Sequence, residues 1–103
     1  LFRSVTGSAD PAGFDIVVNA TPLGMKAGDP LPINVERIPP HAYVGEVVLS
    51  AEVTPFLAAA RARGCQGQGG LDMLYEQIPA YLAYFGLPVA TPGQLRALAD
   101  PMA

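Results

Sequence analysis

Two short apolar runs constrain the fold of this chain more than any other feature. The first, residues 15–20, reads Asp-Ile-Val-Val-Asn-Ala, and the second occupies residues 42–49. Continuous runs of this kind are typical of strands that are buried on both faces of a parallel sheet. Glu46 interrupts the second run, and an unpaired buried carboxylate is costly. We therefore predict two buried parallel strands, with Glu46 either at a sheet edge or hydrogen-bonded.

Helices are predicted after the second strand. Thr54 is a good N-cap and Pro55 suits a first helical position, so a helix is predicted over residues 55–63 that ends at Gly64. A longer helix is predicted over residues 71–85, because its apolar residues recur at helical spacing and form a wide core face. These apolar residues are Leu71, Leu74, Ile78, Tyr81, Leu82 and Phe85.

The remaining segments complete an α/β pattern. Pro79 predicts a kink or a break in the long helix, and Thr91-Pro92 opens a last helix. Residues 65–68 are predicted to be a short extended link, residues 33–37 to contain one helical turn, and residues 1–5 could be a strand end. Parallel strands joined by crossovers indicate the second half of a doubly wound α/β domain with flanking helices.

The composition argues against several kinds of partner. The net charge is −3 and the arginines are scattered, whereas a surface that follows phosphates needs clustered Lys and Arg, so no nucleic acid is expected. No apolar run approaches the ~20 residues of a membrane span. The single cysteine, Cys65, fits a reducing cytosol and is expected to be a small buried group. His41 is expected to be an ordinary loop residue, so no metal site is predicted.

The chain is apolar for its length, with 50% hydrophobic and 15% charged residues among 103. Two explanations remain open at this point. In the first, apolar faces of the chain meet a partner, which is a missing part of the chain, a second copy or both. In the second, the source proteome is simply rich in alanine. The chain starts at Leu1 without an initiating methionine, and we therefore expect a fragment of a longer protein.

Two stretches are candidate binding elements. Residues 21–25 directly follow the first strand, and ligands of open α/β sheets bind at the carboxyl ends of strands, although a plain strand-terminating turn is the alternative. Gly69-Gly70 opens the long helix and would let a flat ligand lie close to the main chain. Met73 and Gln77 then share one helix face, and the Gln77 amide can both donate and accept hydrogen bonds.

The order of these motifs resembles a known family. Residues 19–25, Asn-Ala-Thr-Pro-Leu-Gly-Met, resemble the Asn-Ala-Thr-(Ser/Pro)-x-Gly-Met signature of the shikimate dehydrogenase family. Residues 54–57, Gly64 and residues 70–77 resemble its closing segment, and residues 84–86 resemble its aromatic-rich helix end. The ordered set covers most of residues 15–86.

The resemblance implies that residues 1–103 are the C-terminal portion of a Rossmann-like NADP-binding domain. The whole enzyme would interconvert 3-dehydroshikimate and shikimate in aromatic amino acid biosynthesis. The resemblance also implies a substrate contact at Gln77 and cofactor contacts at six residues. These six are Thr21, Pro22, Leu23, Val47, Gly70 and Met73. The family's catalytic Lys–Asp pair and Gly-rich loop lie upstream, so the chain alone is expected to hold no catalytic residue and to be inactive.

Two positions depart from the family pattern. Leu49 stands where the family has a substrate-contacting tyrosine, and Ala51 stands where it has a proline. Leucine cannot donate the hydrogen bond of a tyrosine, so a site containing Leu49 is expected to select less strongly for shikimate. A quinate or other polyol-acid dehydrogenase and a non-catalytic ligand-binding or assembly module remain alternatives. A further alternative is a homodimer that forms through faces exposed by truncation.

Overall fold

The chain forms a three-stranded parallel sheet. The computed structural model describes residues 3–99, and the strands are β1 (Ile16–Asn19), β2 (Tyr43–Glu46) and β3 (Gln66–Gln68), in the order β1-β2-β3. Both neighbouring pairs are parallel. The two predicted parallel strands are confirmed, although each is shorter than its apolar run.

The short link predicted at residues 65–68 is extended, as expected, but it also pairs with β2 as strand β3, which was not predicted. Its Gln-Gly-Gln sequence carries no β-branched residue, and only backbone pairing with β2 reveals it as a strand. Gly67 lies against the helix layer, since a Cβ there would lie 2.9 Å from Cδ1 of Leu57. The glycine therefore lets the neighbouring helix approach the sheet closely.

One face of the sheet is covered by helix α1 (Pro55–Ala62). Thr54 caps this helix as predicted, because its Oγ1 accepts a hydrogen bond from the Leu57 amide at 3.3 Å, and Pro55 occupies the first turn. Phe56 and Leu57 are fully buried, and each contributes roughly 1.5–3 kcal/mol of transfer free energy. The core comprises Val35, Ile38, Ala42, Val44, Phe56, Leu57, Ala60 and Cys65.

The opposite face of the sheet is bare within residues 3–99. Ile16 is 68% exposed and Val18 is 54% exposed, so the prediction that the first strand is buried on both faces was wrong for this chain. A β-branched run indicates a strand that suits a buried position, but the covering layer must come from other residues. None of the described helices covers these two side chains.

Two helices follow β3. Helix α2 (Gly70–Tyr84) runs through Pro79 as one continuous element, so the predicted break does not occur. Its predicted wide core face was also wrong, because Gly70 is its only buried residue and Phe85, just beyond its end, is exposed. Helix α3 (Pro92–Ala99) lies against α2, and the Arg96 guanidinium pairs with Asp72.

The remaining segments are short. A 3-10 helix at Val35–Arg37 confirms the predicted turn. Of the predicted strand end at residues 1–5, Leu1 and Phe2 lie outside the described residues, and residues 3–5 adopt no regular structure. Among the described helices none is long and apolar enough to cross a membrane.

Candidate functional site

An apolar cleft of about 630 Å³ lies at the carboxyl ends of β1 and β2. One wall comes from the loop after β1 and the other from the loop after β2, because parallel strands end at the same edge of their sheet. The cleft is lined by Ala20, Thr21, Pro22, Met25, Val47, Val48, Leu49 and Ser50. Two hydroxyl side chains among apolar ones make a surface suited to a flat, partly polar ligand.

The first wall is held by its own side chains. The Asn19 Oδ1 accepts hydrogen bonds from the Thr21 amide at 3.1 Å and from the Thr21 hydroxyl at 2.6 Å. The Asn19 Nδ2 donates to the Leu23 carbonyl at 3.1 Å. Gly24 then takes a φ of +107°, which favours glycine, and the loop turns back. The Asn-Ala-Thr-Pro-Leu-Gly sequence thus specifies a rigid loop.

The second wall is backed by the start of α2. A Cβ built on Gly70 would lie 2.5 Å from the Val48 carbonyl oxygen and 2.8 Å from the Val47 carbonyl carbon. Only a residue without a side chain fits this contact. Gly70 therefore joins α2 to the loop that carries Val47 and Leu49.

The structure brings together most of the predicted cofactor residues. Thr21, Pro22 and Val47 line the cleft, and Gly70 packs directly behind Val47. Leu23 instead lines a neighbouring cavity of about 280 Å³ between residues 23–32 and residues 50–56.

Met73 and Gln77 lie farther along α2, outside the cleft lining. Met73 follows Gly70 by about one helical turn, and its side chain is partly exposed. Gln77 is exposed, about 10 Å along the helix axis from Gly70, and its Oε1 accepts a hydrogen bond from the Tyr81 hydroxyl at 3.0 Å. The described residues do not bring Gln77 into the cleft, so its role as a substrate contact stays a prediction.

A buried polar cluster of Glu46, Asn19 and Thr54 lies behind the cleft, and the sequence predicted only part of it. Glu46 is hydrogen-bonded, as one of the two predicted options required, but it lies in the central strand rather than at an edge. Its side-chain partners are Asn19 and Thr54, which sequence reasoning assigned only to the loop motif and to the helix cap. The available signals were Glu46 inside the second apolar run and Asn19 near the end of the first.

The other charged pairs lie away from the cleft. His41 Nε2 and Asp15 Oδ1 are 2.9 Å apart on exposed side chains that precede β2 and β1, at the amino ends of these strands. Hydrogen bonds from Arg37 and from the Ala12 amide lower the pKa of Asp10, at an exposed position. Among residues 3–99 no cluster of three or more His, Cys, Asp or Glu side chains could hold a metal ion.

Comparisons with known proteins point to one family. The shikimate dehydrogenase (NADP(+)) of Acidiphilium cryptum is 43% identical over 94 residues, which cover 89% of this chain and 34% of that protein. The resemblance to the shikimate dehydrogenase family is confirmed. No protein-family model matches the chain. The chain spans about a third of the length of the curated shikimate dehydrogenases that it matches.

Solved structures confirm the Rossmann-like fold shared with the shikimate dehydrogenases. The Thermus thermophilus shikimate 5-dehydrogenase in complex with NADP(H) and shikimate has a TM-score of 0.74 at 28% identity, covering 88% of this chain and 35% of that one. The Corynebacterium glutamicum quinate dehydrogenase in complex with NAD has a TM-score of 0.72 at 32% identity, covering 85% and 32%. Both match three parallel strands with flanking helices.

Proposed function

We propose that this sequence forms the C-terminal portion of the NADP-binding domain of a shikimate dehydrogenase. The whole enzyme would interconvert 3-dehydroshikimate and shikimate in aromatic amino acid biosynthesis. The observation that carries the proposal is the cleft, where Thr21, Pro22 and Val47 meet at the carboxyl edge of the sheet over Gly70. The Acidiphilium and Thermus relatives support the same activity.

The bare sheet face supports the proposed domain boundaries. Ile16, Val18 and Tyr43 project from the face opposite α1, and all three are exposed. Parallel sheets are stable when both faces are covered. Further residues of the parent polypeptide would supply that second layer.

The cleft fits the nicotinamide end of NADP. Its walls are mostly apolar and its volume of about 630 Å³ is in the range of ordinary cofactor sites. When bound, NADP supplies the hydride acceptor or donor of the reaction. We assign Thr21, Pro22 and Leu23 to the loop beside the cofactor, and Val47, Gly70 and Met73 to the surface that excludes water from the nicotinamide.

We assign the substrate contact to Gln77. Its Oε1 already accepts the Tyr81 hydroxyl, so the Nε2 group of the same amide would donate to the substrate. The residues that move the proton would lie elsewhere in the parent polypeptide, and we expect the isolated chain to be inactive. The free and buried thiol of Cys65 is consistent with a reducing cytoplasm, where we place the protein.

An assay of the full-length polypeptide tests the proposal. NADP⁺ reduction would be followed with shikimate and then with quinate, and turnover with shikimate is expected. Gln77→Ala should raise the KM for shikimate and leave the KM for NADP⁺ unchanged. Glu76→Ala, an exposed neighbour on α2, is the matched control and should change neither. Absence of NADP⁺ binding and of turnover with both substrates would remove the proposal.

Leu49 favours a second candidate function. It lines the cleft, is 45% exposed and offers no hydrogen bond, so a site containing it would discriminate less strongly for one hydroxylated ring. A quinate or other polyol-acid dehydrogenase would show higher kcat/KM for its own substrate than for shikimate. A non-catalytic ligand-binding or assembly module would bind NADP or substrate without turnover.

The bare face of the isolated chain could also pair with a second copy. Its exposed apolar side chains, Ile16, Val18 and Tyr43, would be removed from water in such a homodimer. Light scattering at increasing concentration tests this pairing. A strictly monomeric isolated chain at high concentration would contradict it.

A further inference from the structure

The most deeply buried acidic group of the described residues lies directly behind the cleft. Glu46 is the last residue of the central strand and is 3% exposed. Its two side-chain partners are equally buried, with Asn19 3% exposed and Thr54 1% exposed. None of these three side chains lines the cleft.

All the groups that bond the Glu46 carboxylate are donors. Oε1 accepts from the Asn19 Nδ2 at 2.9 Å and from the Val48 amide at 3.2 Å, and Oε2 accepts from the Thr54 hydroxyl at 2.9 Å. The Thr54 oxygen accepts the Leu57 amide, so its single proton points to Glu46. The two carboxylate oxygens of Glu46 therefore act only as acceptors in this arrangement.

These bonds reach both walls of the cleft. Asn19 fixes the first wall, since its own oxygen holds Thr21 and its amide group also bonds the Leu23 carbonyl. The Val48 amide belongs to the second wall. The Thr54 hydroxyl also connects the first turn of α1 to the Glu46 carboxylate, and α1 starts where the second loop ends.

We propose that Glu46 is the positioning residue that fixes the two walls of the cleft relative to each other. It touches no ligand surface and acts through Asn19 on one side and through the Val48 amide on the other. The next consequence rests on the proposed function. When the cleft holds the nicotinamide, Glu46 sets the distance between the wall that carries Thr21 and the wall that carries Val47. Preorganised walls lower the cost of ordering a bound ring.

Glu46→Gln tests the proposal with almost no change in shape. The substitution replaces one acceptor oxygen by an NH₂ donor, so either Thr54 or the Asn19 and Val48 pair then faces a donor. Hydrogen exchange in full-length protein should become at least about tenfold faster in both residues 20–25 and residues 47–50, because losing a hydrogen bond to a charged group opens this junction. The affinity for NADP⁺ should fall by a similar factor.

Ile38→Val is the matched control. Ile38 is fully buried in the core under α1, does not line the cleft, and loses one methylene in this variant. At a comparable fall in thermal stability, it should leave exchange in both loops and the NADP⁺ affinity at wild-type values. Together the two variants separate a positioning role of Glu46 from general destabilisation.

The loop exchange decides the proposal independently of cofactor binding. Faster exchange in both walls with Glu46→Gln, and not with Ile38→Val, supports it. Unchanged exchange in either wall, or equal acceleration by Ile38→Val, overturns it. A wild-type protein that binds no NADP⁺ refutes the proposed function, while the exchange comparison still decides the role of Glu46.

Discussion

Gly70→Ala is the substitution whose effect follows most directly from the structure. The added Cβ would lie 2.5 Å from the Val48 oxygen, and contacts under 3.0 Å essentially do not occur for real Cβ atoms. The start of α2 or the Val47–Val48 backbone must therefore move by about half an ångström. The Val48 oxygen and the Val47 carbonyl group belong to the main chain, so they cannot rotate away from the added Cβ as a side chain could.

The magnitude combines two opposing terms. Overpacking of this kind costs about 1–3 kcal/mol. Alanine gains up to about 1 kcal/mol over glycine in a helix, although less in the first turn. We therefore expect a net loss of about 1–2 kcal/mol in the free energy of unfolding. The shift moves the wall that carries Val47, so we also expect weaker NADP⁺ binding by the full-length protein.

Gly93→Ala is the matched control. Gly93 lies in α3, and outside the helix backbone and its chain neighbours the nearest heavy atom to its added Cβ would be the Thr91 Oγ1 at 4.0 Å. This variant should be unchanged or up to about 1 kcal/mol more stable. Urea unfolding of both variants, with NADP⁺ titrated by calorimetry, makes the comparison. Equal stability and equal NADP⁺ affinity for the two variants would refute the reasoning about Gly70.

Three further predictions concern separate parts of the chain. Leu49→Tyr should raise kcat/KM for shikimate by about two- to tenfold in steady-state assays, because it adds one hydrogen bond at the cleft; a fall would contradict this. Arg63→Ala should lower the free energy of unfolding by about 1–2 kcal/mol in urea titrations, since Nε and Nη2 both donate to the buried Ile38 carbonyl; wild-type stability would contradict it. The Arg37 hydrogen bonds lower the pKa of Asp10, so the stability that Asp10 contributes is present above the ordinary aspartate pKa and is lost as pH falls through the lowered pKa. The difference in free energy of unfolding between wild type and Asp10→Asn should therefore shrink in acid, and a difference that grows in acid would contradict this.

Local chemistry was predictable from the sequence. Thr54 and Pro55 specify the start of α1 through a side-chain cap and a missing amide, and both act within one helical turn. The two apolar runs likewise predict β1 and β2, because apolar and β-branched side chains fit the pleated surface of a sheet. The position of the loop after β1 at the carboxyl edge of the sheet followed from strand direction, and its role in binding stays a prediction.

Properties that depend on distant neighbours were not predictable in this way. Ile16 and Val18 have the sequence of buried residues, but burial is decided by what covers them. β3 carries no residue pattern, and only its pairing with β2 defines it. The junction at Glu46 joins residues 27 positions apart in sequence, so its bonding partner Asn19 could not be identified without coordinates.

We expect the nicotinamide of NADP⁺ to bind in the cleft between residues 20–25 and residues 47–50, with the substrate beside it. A crystal structure of the full-length protein with NADP⁺ and shikimate tests it most directly. We expect the nicotinamide ring to be in van der Waals contact with Val47, over the start of α2, with shikimate beside it. A nicotinamide bound elsewhere, with this cleft filled by solvent, would show that residues 20–25 and 47–50 do not form the cofactor site.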